Sequence, residues 1–143
     1  MKYMGSKSRI AKHIVPIIQE KIKENNIKTY IEPFCGGCNI IDKIQCETKV
    51  ASDNHKYLIE MFKNLNSIKD LPEFITKEHY SEVRNCFNKE LLEYPDWYIG
   101  AVGFLASYNG RFFDGGYAGI VYTKAGTERN YYDEAKRNLL EQI

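Results

Sequence analysis

A chain of 143 residues with 43% apolar and 27% charged residues has the composition of a folded domain with one hydrophobic core, which excludes disordered and low-complexity classes. No apolar run approaches the roughly 18 residues of a membrane span. Nor does an apolar stretch follow the basic start, MKYMGSKSRI, so no secretory leader is read and a cytoplasmic location is expected. A net charge of +1 does not mark a nucleic-acid binder, because phosphate affinity depends on where Lys and Arg cluster.

Lys2, Lys7, Arg9 and Lys12 form one such cluster, with no acid before Glu20; a solvated helix face explains it equally well. Ile10, Ile14, Ile17, Ile18 and Ile22 recur at helical spacing, which predicts an amphipathic helix from Ser6 to about Asn25. Pro16 lies inside it and is expected to kink or split it. Lys28–Phe34 reads as a β-prone run closed by Cys35-Gly36-Gly37-Cys38, followed by a short helix from Asn39 to about Ile44. Thr48–Ser52 reads as a second strand ending at Asp53, and Leu58, Ile59, Phe62 and Leu65 mark a helix from His55. Further helices are predicted over 78–89, 95–108 and from Tyr131. Asn109–Asn130, rich in Gly and aromatic residues, shows no helical period and reads as a long loop, a class that is usually functional or mobile. This order predicts an α/β sheet unit carrying a helical insertion. Cys35 and Cys38 form a C-x-x-C, but Cys46 and Cys86 supply no second close pair; small buried thiols are expected rather than zinc, and no metal site.

The chemistry concentrates between Tyr30 and Asp53. A strand ending in glycines lets the backbone approach a ligand, and an acid at the end of the next strand accepts hydrogen bonds from a ribose. Asp53 follows the glycines at close to the roughly 20-residue interval this arrangement uses. The run Phe34-Cys35-Gly36-Gly37-Cys38 is not G-x-G-x-x-G. The residues alone therefore leave NAD, ATP and S-adenosylmethionine open, beside a plain glycine turn with Asp53 as an ordinary helix N-cap.

Three stretches in order, Lys2-Tyr3-Met4-Gly5-Ser6-Lys7, Ile31-Glu32-Pro33-Phe34-Cys35-Gly36-Gly37 and Ser52-Asp53-Asn54, resemble the Dam-type (D12 class) adenine-specific DNA methyltransferases. The resemblance implies a Rossmann-like S-adenosylmethionine-dependent methyltransferase fold with a partial sheet and a helical target-recognition insertion. It implies the N-terminal part of the cofactor-binding catalytic domain over 1–66, and over 67–143 a helical target-recognition region with the start of the return to the catalytic domain. Tyr3, Gly5 and Lys7 match the motif lying against S-adenosylmethionine, with Lys7 also near the target base as the catalytic candidate. Glu32, Pro33, Phe34, Gly36 and Gly37 match the cofactor loop, where Glu32 and Phe34 would support the methionine and adenine portions. Asp53 matches the acid on the ribose hydroxyls, and Lys2 a position that contacts DNA. Cys38 departs from the family, which often has a glycine there.

Ala106–Gly119 occupies the place of the recognition region. Asn109-Gly110 predicts a tight turn, and Asn109, Arg111, Lys124 and Arg129 are candidates for phosphate or guanine contacts. Phe112, Phe113 and Tyr117 are candidates to stack on bases; pinning the loop to the body is the equal alternative. The implied partner is double-stranded DNA with a short adenine-bearing site. The family's Asp-Pro-Pro-Tyr-type tetrapeptide is absent: the four prolines, at 16, 33, 72 and 95, never adjoin. The chain is therefore expected to stop before the catalytic motif, to lack transfer activity alone and to expose a sheet edge prone to self-association. A non-catalytic DNA- or cofactor-binding remnant and an unrelated nucleotide-binding α/β protein are the competing readings.

Overall fold

Residues 1–143 are described by a computed structural model. Helix α1 (Ala11–Glu24) starts later than the isoleucine pattern predicts, because Tyr3–Ile10 is spent on turns: the Ser6 N–H bonds the Tyr3 carbonyl, and Gly5 has a φ of 79°. Pro16 does not split it, and α1 is assigned as one helix. Its inward face is Ala11, Ile14, Val15, Ile18 and Ile22, packed on Ile40 and Ile44, while Ile10 and Ile17 point outward. Asn26 ends it in the left-handed conformation, with the Ile27 N–H returning to the Ile22 carbonyl, a Schellman-type stop.

Strands β1 (Thr29–Glu32) and β2 (Thr48–Ala51) pair in parallel, Thr29 opposite Thr48 and Glu32 opposite Ala51. Between them the helix expected over 39–44 is only a 3-10 turn, Ile41–Lys43. Period-two alternation turns Tyr30 and Glu32 inward and leaves Ile31 59% exposed. No further strand joins either outer edge of this pair.

The second half is a helical body of α2 (Lys56–Lys63), α3 (Leu65–Lys69), α4 (Lys77–Asn88), α5 (Asp96–Leu105) and α6 (Tyr131–Gln142). Apolar on every side, α5 is buried from Ile99 to Leu105 and forms the centre. Its glycines allow close approach: a Cβ at Gly100 would lie 2.2 Å from the Tyr57 carbonyl oxygen, and one at Gly103 2.4 Å from the Phe112 ring. Helix α2 serves both halves, turning Leu58 and Met61 to the helical core and Ile59 and Phe62 to Cys35, Cys38 and Ile41.

The long loop expected over 109–130 is largely structured. Asn109 and Gly110, with φ of 53° and 66°, make the predicted tight turn, closed by the Arg111 N–H on the Tyr108 carbonyl. Strands β3 (Ile120–Tyr122) and β4 (Glu128–Asn130) then form an antiparallel hairpin. Three-residue strands separated by a Thr123–Thr127 turn are too short to show a period in sequence. The molecule is thus a mixed α/β fold with two separate two-stranded sheets, and no helix is long and apolar enough to cross a membrane.

Candidate functional site

The cleft between sheet and amino-terminal segment forms a cavity of about 200 Å³. Tyr3, Gly5, Lys7, Glu32, Phe34, Gly36, Gly37 and Asp53 line it, joined by Ser6, Cys35, Asn39 and Ile40. Of the cofactor residues expected from sequence, Pro33 alone is absent from the wall; it is exposed beside β1. Three segments far apart in sequence therefore meet at one place, the carboxyl ends of two parallel strands.

The glycines are required by contact. Gly36 has a φ of 48°, and a Cβ there would lie 2.9 Å from the Tyr3 ring. At Gly37 a Cβ would lie 2.9 Å from both the Asn39 amide nitrogen and Tyr3 Cβ. Tyr3 is held on its other side by Phe104, stacked at 5.9 Å between centroids. Burial pushes the Tyr3 phenol up, and the charge of Asp53 adds to this.

Asp53 closes the cavity floor. Its Oδ2 accepts the Gly36 N–H at 3.0 Å and its Oδ1 accepts the His55 N–H at 3.1 Å. Each carboxylate oxygen keeps a second lone pair, so acceptor capacity remains for a ligand hydroxyl. The helix-capping alternative for Asp53 is corrected here: the side chain capping α2 is His55, whose Nδ1 faces the Leu58 N–H. Burial lowers the His55 pKa, against the raising effect of Asp53.

Glu32 carries the site's unsatisfied charge. Its Oε2 is buried with no hydrogen-bond partner. Burial raises its pKa; the Lys7 ammonium and the Ile41 backbone N–H pull the other way. A buried carboxylate without a donor is costly, and a ligand ammonium in the cavity would supply one. Phe34 stands 76% exposed at the lip, an unpaired aromatic face. The donor set, the glycine cradle and the orphaned acid therefore fit an amino-acid nucleoside such as S-adenosylmethionine. The C-x-x-C is a tight turn, with the Cys38 N–H on the Cys35 carbonyl at 2.8 Å. Both thiols are buried against Ile41 with pKa values pushed up by burial, and Cys38 has a φ of 59° where a glycine would be unstrained.

The recognition candidates divide. Lys2, Asn109 and Arg129 line a second cavity of about 130 Å³ with Tyr131, Glu134 and Asn138. The Arg129 guanidinium lies 4.6 Å over the Tyr131 ring and grips Glu134 with Nε at 2.8 Å and Nη2 at 3.2 Å. That pairing lowers the Glu134 pKa. The Lys2 Nζ lies 5.7 Å from the centroid of the same ring. Arg111 is exposed beside Met4, its Nη2 3.9 Å from the thioether sulfur, and Lys124 is exposed in the hairpin turn.

Phe112 belongs to the packing alternative. It sits half-buried among His55, Tyr57, Phe87 and Phe104, with centroids 4.6 to 5.6 Å away. Phe113 is 7% exposed, and the Tyr117 hydroxyl donates to the Ile75 carbonyl. These rings pin the loop to the body, and the packing of Phe112 favours the pinning alternative over base stacking. Left-handed φ values at Phe112 and Phe113 are held by Ser107, whose Oγ accepts the Phe113 N–H at 2.8 Å and meets the Tyr80 hydroxyl at 2.8 Å. Sequence reading missed Ser107, His55 and Asn39. Only Asn39, one residue past the glycine turn, carried a positional signal.

The D12 class N6 adenine-specific DNA methyltransferase family matches residues 3–109. The Type II methyltransferase M.MjaIII of Methanocaldococcus jannaschii is 32% identical over 108 residues, covering 62% of this chain and 37% of that protein. The chain thus spans little more than a third of that relative's length. No solved structure matches the chain. By the extent of that family match, which covers most of its residues, the chain belongs to the D12 class of N6 adenine-specific DNA methyltransferases.

Proposed function

We propose that the cavity between Tyr3, Glu32, Gly36 and Asp53 binds S-adenosylmethionine, and that the chain contributes this site and DNA contacts to methylation of adenine N6. The observation carrying the reading is the buried Glu32 Oε2 without a donor, in a cavity whose other wall is the Gly36–Asp53 pair. Glu32 would accept the ligand's ammonium, Asp53 its ribose hydroxyls, and the glycine turn would let the chain lie close to the backbone. Lys7 is exposed at the cavity mouth, where it would face the entering base. The sulfonium supplies an electrophilic methyl group when bound. In this reading the two parallel strands are part of a Rossmann-like sheet, residues 1–66 form the cofactor-binding portion, and 67–143 form the recognition portion. Lys2, Asn109, Arg111, Lys124 and Arg129 would hold duplex DNA, with Lys2 and Arg129 sharing one pocket.

Binding and transfer separate experimentally. Titration with S-adenosylhomocysteine should show saturable binding, weakened about tenfold or more by Asp53→Ala, a loss of about 1.4 kcal/mol or greater. Binding of NAD or ATP in its place would sink the reading. No Asp-Pro-Pro-Tyr-type tetrapeptide occurs in these 143 residues. The polypeptide alone is therefore expected to bind without turnover, and tritium transfer from labelled S-adenosylmethionine to DNA would refute that.

A further inference from the structure

The glycine turn is held by two side-chain amides to which the family resemblance gives no role. Asn39, 8% exposed, uses its whole amide. Its Nδ2 donates to the Met1 carbonyl at 2.9 Å and to Ser6 Oγ at 2.7 Å, so one group ties both ends of the amino-terminal turn to the cavity wall. Its Oδ1 accepts from the Met1 ammonium at 3.1 Å and from Gln142 Nε2 at 3.4 Å, and the latter nitrogen also donates to the Gly37 carbonyl at 2.9 Å. Both amide groups thus have their two N–H donors committed across segments. Lys43 Nζ caps the Asn39 carbonyl at 2.8 Å.

Gln142 is the last residue of α6, and the other end of that helix is the hairpin. Strand β4 ends at Asn130, which caps α6 by accepting the Asp133 N–H at 3.0 Å, with no linker between. Arg129 precedes the cap and pairs with Glu134 on the first turn. Twelve helical residues span about 18 Å. Tyr132 and Leu139 anchor the helix in the core at 1% and 0% exposure. The hairpin and Gly37 are thus joined by one continuous helix, capped by Asn130 at one end and hydrogen-bonded through Gln142 at the other.

We infer that Asn39 and Gln142 are positioning residues that couple engagement of nucleic acid at the β3–β4 hairpin to the cofactor loop, with α6 as the strut between them. The inference rests on the reading of the cavity as a cofactor site and of the hairpin as a DNA contact. Coupling is reciprocal, so each ligand tightens the other by the same factor.

The experiment is calorimetric titration of the full 143-residue chain with S-adenosylhomocysteine, with and without a pool of mixed-sequence DNA duplexes. The wild-type chain should bind the analogue about fivefold or more tightly when duplex is present. In Gln142→Ala, and in the near-isosteric Gln142→Glu that removes both Nε2 donors, the ratio should fall to about one, with affinity in the absence of DNA changed less than about twofold. Gln142 is half-buried and outside the apolar core, so both variants should stay folded, which thermal melting checks. A ratio unchanged in both variants, or a wild-type ratio of one with both ligands bound, overturns the inference while leaving the site reading standing. A wild-type chain that binds neither probe overturns the site reading, and the coupling falls with it.

Discussion

Glu32 carries a cost of burial that the proposed ligand would offset. Burial raises its pKa, so the folded chain holds that proton more tightly than the unfolded one. The stability attached to this group is therefore complete below the ordinary glutamate range, about pH 4.3, and is lost as pH rises through the raised folded value. Glu32→Gln removes the penalty while keeping the shape. The variant should melt higher than the wild type at neutral pH, with the gap closing as pH falls below about 4, and should bind S-adenosylhomocysteine about tenfold more weakly. Equal melting temperatures across that pH range would show that the carboxylate is not buried as described. Gly36 is constrained for a different reason: its positive φ and the Tyr3 ring leave no place for a side chain. This much was legible in sequence as a glycine after a strand, but the partner, Tyr3, was not, because the contact joins residues far apart in the chain.

Among the elements, the β3–β4 hairpin and the aromatic loop before it look alike in sequence and differ in packing. Phe112 fills space between α2 and α5, and Lys124 stands free at a turn. A fully buried Phe→Ala change costs about 3–5 kcal/mol, so the half-buried Phe112 should lose about 2–3 kcal/mol in Phe112→Ala, read by urea unfolding. Lys124→Ala should leave stability unchanged and lower the slope of log affinity for DNA against log salt by about 0.9. An unchanged melt for Phe112→Ala would return that ring to the DNA candidates. Helix α1 teaches the complementary lesson. Its isoleucine period was correct for helix but not for the buried face, because Ala11 and Val15 turn inward where Ile10 and Ile17 were expected to.

At the scale of the molecule, the helical half is well covered and the sheet is not. Both outer edges of the β1–β2 pair are unpaired. Ile31, Phe34 and Val50 are 59%, 76% and 43% exposed, and Cys38, Ile41, Ile59 and Phe62 line an adjoining groove of about 600 Å³. Open edges beside apolar surface template pairing with another chain. Light scattering should show self-association rising with concentration, reduced by Ile31→Lys on the exposed strand face. A monomer at all concentrations would count against this.

The sequence by itself determined the family, the two strands and the glycine turn, and it named most of the residues that line the cavity beside that turn, because motifs and short periodicities are local properties that the chain states directly. It also marked Asn109-Gly110 as a turn. The tertiary structure alone decided which aromatics of the loop after α5 pack into the core, that His55 rather than Asp53 caps α2, and that Asn130 leads a hairpin straight into α6. It alone brought Asn39 and Gln142 together across the chain. Those outcomes depend on which surfaces meet, and polar partners distant in sequence leave no periodic trace for a reader of the sequence to find.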